Sequence, residues 1–233
     1  MTEVLGFVPA RAGSEGISKK NIRLLNGKPL ISYTIEEGKK SRVNRLIIST
    51  DSPEIAEISK TLGAEVPFLR PAGLSQGDSV IEDALLDALE RLNENEGYRP
   101  DLIVLLQPTS PLRTATHIDD CISLLEKNKA DSVVSVAEPT EHPAEMVYWE
   151  DNGEMRFLSD SFFQEKKTQR QEYPPFLFIN GAVYAFEYQS LIKKKNRFGE
   201  NTIPYVMSQK DSIDIDSMDD FLIAEALLQT KNT

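Results

Sequence analysis

The sequence predicts a three-layer α/β fold, a parallel sheet covered by helices on both faces. Three observations carry this: short apolar runs rich in β-branched residues, amphipathic stretches with apolar residues three and four apart, and regular alternation of the two. Val4 to Pro9 (VLGFVP), Leu46 to Ser49 (LIIS), Leu102 to Leu106 (LIVLL) and Ser132 to Val136 (SVVSV) are too short for helices and read as buried strands. Pro29 suits the first turn of a helix through about Lys40, because its fixed φ fits there and its missing N–H is not needed. Ser52-Pro53 opens a helix to about Leu62 in the same way. Ile81, Ala84, Leu85, Ala88, Leu89 and Leu92 form one apolar face over 79–92, and Thr114 to Lys127 repeats the design.

From about 139 to 175 the rhythm changes. Asp151-Asn152-Gly153 is a turn signal between VYW and MRFL, and a polar stretch follows, which together read as a hairpin and a loop. Such an excursion covers an active site, reaches a second subunit or is a plain surface insertion. Regular structure resumes with a strand over Ile179 to Phe186 and a helix near Tyr188 to Lys195. The final helix opens with Ser217-Met218-Asp219-Asp220, a capping-box variant, and is expected to pack Phe221, Leu222, Ala224 and Leu228.

Length and composition fit one domain over 1–233. The chain has 233 residues, 40% of them hydrophobic, with 26 Lys+Arg against 37 Asp+Glu and a net charge of −11. That acidity repels phosphate backbones and anionic lipid heads, so no nucleic-acid or membrane partner is expected. Cys121 is the one cysteine, which excludes an internal disulfide and a thiolate metal cage. With a first segment that lacks a basic n-region and with no apolar run of ~18 residues, a cytoplasmic location is expected.

Three segments could carry chemistry. The loop Pro9 to Asn21 (PARAGSEGISKKN) combines glycines, which let backbone N–H groups approach an anion, with Arg11, Lys19 and Lys20; it is a nucleotide loop or a flexible basic one. In Ile213-Asp214-Ile215-Asp216 an extended backbone puts both carboxylates on one side and both isoleucines on the other. Two such carboxylates either share a hard cation, as Mg²⁺ is held with substrate phosphates, or are merely solvated. Gln107-Pro108-Thr109-Ser110 leaves a buried strand where ligands bind in parallel α/β sheets, although a plain helix-capping loop has the same look. His142, in Glu141-His142-Pro143, is a further candidate pocket residue.

In this order the three segments resemble the acylneuraminate cytidylyltransferases, or CMP-sialic acid synthetases. The likeness runs through PARAGSEGISKKNIRLLNGKPLISYTI (9–35), ISTD (48–51), FLRPAGLS (68–75), LLQPTSPLR (105–113), ADSVVSV (130–136), NGAVYAF (180–186) and SIDIDSMDDFLIAE (212–225). It implies a Rossmann-like nucleotide-diphospho-sugar transferase fold and Mg²⁺-dependent transfer of CMP from CTP to the anomeric hydroxyl of a nine-carbon 2-keto sugar acid, releasing pyrophosphate. It implies nucleotide-binding roles for Arg11, Ser14, Lys20, Asn21 and Arg70, and sugar-binding roles for Gln107, Arg170 (of an RQ pair with Gln171) and Asn180. Asp214 and Asp216 would hold Mg²⁺ and, with Arg11 and Lys20, form the catalytic group. A homodimer in which the 139–175 excursion completes the neighbouring site is also implied. Three departures stand out: Glu15 replaces a usual lysine, and Glu145 and Phe178 stand where sialate enzymes tend to have basic residues. They leave open a related nonulosonate, a 3-deoxy-octulosonate enzyme, or a CTP-binding protein without catalysis.

Overall fold

A computed structural model describes residues 2–13, 16–158 and 175–231. Among these, the central sheet has six strands: β1 (Val4–Pro9), β4 (Arg45–Ser49), β5 (Leu102–Leu105), β6 (Ser132–Ala137), β9 (Phe178–Glu187) and β10 (Thr202–Val206), in the order β10-β6-β9-β5-β1-β4. All four strands read from sequence as buried runs are present, and β1 pairs in parallel with both β4 and β5. The sheet is mixed, however, since β9 runs antiparallel between β5 and β6. Ala137 at the end of β6 pairs with Phe178 at the start of β9, so the excursion begins and finishes at one edge and the next strand must descend.

Alternating side chains divide the core. On one face Val8, Ile48 and Val104 pack with Ile31 and Ile35 of α1 (Leu30–Lys40), Ile55 of α2 (Pro53–Thr61), and Ile118 and Ile122 of α4 (Ala115–Asn128). On the other, Phe7, Leu105 and Phe186 meet Leu85 and Leu89 of α3 (Ile81–Glu96) and Leu191 of α5 (Tyr188–Lys194). Each fully buried Ile, Leu or Phe contributes about 1.5–3 kcal/mol, so both layers are needed. Two helix starts follow the sequence signals, whereas Pro29 stands before α1 as its extended N-cap residue and not in its first turn. Ser52 Oγ accepts from Ile55 N, Thr114 Oγ1 accepts from His117 N, and Gly97 ends α3 in the left-handed region.

Two elements escaped the sequence reading. Asn26 and Gly27, both with positive φ, form the turn between β2 (Leu24–Leu25) and β3 (Lys28–Pro29), an Asn-Gly hairpin signal. Strand β10 (TIPYV) was obscured by Pro204, which is tolerated because β10 is an edge strand. The excursion does contain the expected hairpin, β7 (Val147–Trp149) against β8 (Met155–Phe157).

Helix α6 (Met218–Lys231) carries the expected reciprocal cap, with Ser217 Oγ accepting from Asp220 N and Asp220 Oδ2 accepting from Ser217 N. Phe221 and Ala224 are buried and Leu228 packs beside them, but Leu222 is 57% exposed, contrary to expectation. One residue step is about 100° of helix rotation, which carries Leu222 off the stripe formed by 221, 224 and 228. Among the described residues no helix is long and apolar enough to cross a membrane.

Candidate active site

Because the chain passes from β1 to β4 on one side and later to β5 on the other, a crevice opens between the carboxyl ends of β1 and β5. A cleft of about 510 Å³ lies there, lined from the β1 end by Pro9, Arg11, Lys20 and Asn21 and from the β5 end by Gln107, Pro108 and Thr109, with Arg70, Asp214 and Asp216 also on its wall. The structure thus gathers seven of the expected site residues in one concavity.

The β1 loop is held by its neighbours. Arg11 Nη1 donates to the Gln76 carbonyl (2.8 Å) and the Ala12 N–H to Asp51 Oδ1 (2.7 Å). Asn21 is buried and donates to the Arg11 carbonyl (3.0 Å), so part of its amide shapes the loop. Lys20 donates to the Ile215 carbonyl (2.8 Å) and pairs with Asp216 Oδ1 (3.0 Å), its own side chain 11% exposed against 80% for Asp216. Gly16 has φ +86°, and a Cβ there would sit 2.9 Å from the Asp216 carbonyl, so only glycine lets the loop approach that segment. Beneath both, Ile17, Ile215 and Phe221 form a third apolar cluster that anchors loop, acidic segment and α6 together.

Arg70 is buried and donates through Nε to Ser49 Oγ (3.0 Å) and through Nη2 to the Ser49 carbonyl (2.5 Å). Burial lowers its pKa, Asp51 opposes that, and Arg11 adds to it. Two donors are therefore spent on the end of β4, and the cleft meets what remains of the guanidinium.

The Ile-Asp-Ile-Asp segment has the expected two-sided character: Ile215 is fully buried, Ile213 packs beside it, and Asp214 and Asp216 line the cleft. Burial raises the Asp214 pKa; a hydrogen bond from Thr109 counters it and the Asp216 charge adds to it. Among the described residues, Asp214 Oδ1 is buried without a hydrogen-bond partner. An unpartnered buried carboxylate oxygen beside a second carboxylate suits a hard cation. No group of three or more His, Cys, Asp or Glu closes around one point among the described residues, so further ligands would be substrate oxygens or water, in keeping with the habits of Mg²⁺.

Other expectations change. Asn180, expected to meet a sugar, does not line the cleft: it is 2% exposed, accepts from Ser135 Oγ (2.6 Å) and donates to Ser212 Oγ (2.8 Å). Its buried amide is fully occupied in tying β9 to β6 and to the segment before Asp214. Gly181 of this motif, at φ +74°, backs two cleft residues: a Cβ there would lie 2.8 Å from Gln107 Oε1 and 3.4 Å from Asp214 Oδ2. His142 is not among the cleft residues; its Nδ1 accepts from Ala144 N (3.1 Å) and caps a short 3-10 turn. Ser14, Glu15 and Arg170 lie outside the described residues. The sequence reading missed the wall formed by Gln76, Gly77, Ser79, Val80 and Ile81, whose signal was the turn-rich Ser-Gln-Gly-Asp before α3.

A model of a family described as "Cytidylyltransferase" matches residues 5–202. An N-acylneuraminate cytidylyltransferase of Streptococcus agalactiae is 33% identical over 93% of this chain, which spans 51% of that relative's length. A CMP-N,N'-diacetyllegionaminic acid synthase of Legionella pneumophila is 32% identical, with 97% of this chain and 96% of the relative covered. Among solved structures, a CMP:2-keto-3-deoxy-manno-octonic acid synthetase complexed with CTP superposes with TM-score 0.73 over 99% of this chain and 100% of its own, at 15% identity, a likeness of fold. Crevice, cationic loop and paired carboxylates agree with the family match across most of the chain: this protein belongs to the cytidylyltransferase family and is an enzyme of that type.

Proposed function

We propose that this enzyme transfers CMP from CTP to the anomeric hydroxyl of a nine-carbon 2-keto sugar acid, N-acylneuraminate or a related nonulosonate, with Mg²⁺ and as a homodimer. The observation that carries the reading is one cleft in which Arg11, Lys20 and Arg70 face the Asp214/Asp216 pair while Gln107 stands beside Asp214. The relatives named for N-acylneuraminate and for diacetyllegionaminic acid support the acceptor class.

In the reaction the anomeric oxygen forms a bond to the α-phosphorus of CTP, the bond to pyrophosphate breaks, and the hydroxyl proton passes to solvent. Such transfer mainly requires positioning and charge neutralisation. Arg11 and Lys20 supply positive charge to the triphosphate, and Gln107 orients the acceptor. Asp214 and Asp216 would hold Mg²⁺, which when bound supplies Lewis-acid stabilisation of phosphoryl charge. The exposed apolar residues of the β7–β8 hairpin, Trp149 at 80% and Met155 at 57%, support its use as a dimer arm. The buried single thiol of Cys121 suits a reducing, cytoplasmic setting.

The test is pyrophosphate release from CTP, with and without Mg²⁺, against N-acetylneuraminate, other nonulosonates and 3-deoxy-octulosonate. Metal-dependent release with a nonulosonate is expected, together with its loss in Asp216→Asn. Release only with the eight-carbon acid would overturn the acceptor assignment. Undiminished metal-dependent turnover in Asp216→Asn would overturn the metal role.

A further inference from the structure

Arg113 is 2% exposed, yet no carboxylate pairs with it among the described residues. Its two terminal nitrogens hold neighbouring chain segments instead, while Nε is buried without a partner among the described residues. Nη1 donates to the carbonyls of Gln107 (3.0 Å) and Ala182 (2.8 Å), and Nη2 donates to Thr34 Oγ1, itself 3.4 Å from the Gln107 carbonyl. Burying such a cation is costly, and an aliphatic side chain would fill the same space without that cost. The compensation is geometric: one planar fork joins the loop leaving β5 to the middle of β9 and, through Thr34, to α1. These two chain segments meet behind the cleft wall, where the amide of the cleft residue Gln107 lies against Gly181.

We propose that Arg113 is a positioning residue for the acceptor subsite, clamping the Gln107 and Ala182 carbonyls from inside so that the Gln107 amide is aimed into the cleft. This rests on the transferase reading above, in which Gln107 meets the sugar acid. On the nucleotide side Arg11 and Ala12 are held by Gln76 and Asp51, which the clamp does not touch, so its loss falls chiefly on the acceptor. A displacement of about 1 Å at a positioning group costs on the order of 100-fold.

The test compares wild type with Arg113→Lys, which keeps the charge and loses the fork, and with Thr34→Val and Thr34→Ser. Steady-state kinetics with CTP and the accepted nonulosonate are read alongside backbone hydrogen exchange over 106–112 and 181–183. In Arg113→Lys the acceptor KM is expected to rise at least tenfold with the CTP KM within twofold, and exchange should quicken in those two segments. Thr34→Val should shift both readouts less in the same direction, and Thr34→Ser should restore them. An acceptor KM within twofold of wild type, or equal changes in both KM values with exchange quickened throughout, would overturn the proposal. If wild type releases no pyrophosphate with any acid, the transferase reading fails by itself, and unchanged exchange in the two segments then refutes the clamp. If Arg113→Lys does not fold, Thr34→Val and Thr34→Ser decide by the same measurements.

Discussion

Gly181→Ala separates the stability of this fold from the chemistry of its cleft. The residue sits at φ +74°, so any L side chain there costs about 1–2 kcal/mol in backbone strain. The new methyl would also meet Gln107 Oε1 at 2.8 Å, but that atom is the free end of a flexible side chain and can swing aside at little further cost in stability. For a chain of 233 residues each kcal/mol moves Tm by roughly 2–4 °C, so a fall of about 2–8 °C is expected. Catalysis should suffer more than folding, because Gln107 yields by leaving the cleft position from which, on the function proposed above, it orients the acceptor. A loss of about 10- to 100-fold in kcat/KM for the keto acid is expected, with the CTP KM within about twofold. Thermal melts and two-substrate kinetics on the same preparation make the comparison. A variant with the full Tm loss but wild-type acceptor kcat/KM would refute the argument that Gly181 exists to admit the Gln107 amide.

Asp214→Asn should raise Tm without ligand while lowering metal-dependent turnover by about 100-fold or more. Since burial raises the Asp214 pKa above its ordinary 3.8, the ionised carboxylate opposes folding above that value and the penalty vanishes below it; the gain in Tm should therefore appear at neutral pH and disappear in strong acid. An equal gain at every pH would contradict this origin. Asn180→Ala removes the acceptor of the buried Ser135 hydroxyl and one of the two hydrogen bonds of the Ser212 hydroxyl, and should cost about 1–3 kcal/mol in urea unfolding; a neutral result would show that the amide is dispensable. Glu15→Lys restores attraction to the triphosphate and should lower the CTP KM, whereas an unchanged value would mean that Glu15 points away from the nucleotide.

The wall of the cleft was legible in sequence where chemistry is local. Arg11, Lys20 and Asn21 share one loop, and Asp214 and Asp216 share one extended segment, so each group could be picked out locally, although only the family resemblance chose the nucleotide and metal readings over plain solvated ones. Gln107 was placed by its position after a buried strand. Asn180 misled because a polar residue beside glycine in a family motif looks the same whether it faces a ligand or a buried serine. Leu222 misled because apolar identity does not say which side of a helix is covered.

The sequence by itself determined the strand and helix alternation, the helix caps, the cationic loop and the acidic pair, because each depends on neighbours within a few residues. Only the tertiary structure decided that β9 descends antiparallel between β5 and β6, that Gly181 lies against Gln107, and that Arg113 joins the segments bearing them. Those contacts link residues far apart in the sequence, as Leu102 and Glu187 paired across β5 and β9 are, and their energy depends on strand order and burial. No local pattern encodes either quantity, since both arise when the layers close on one another and a side chain's surroundings are fixed by distant parts of the chain.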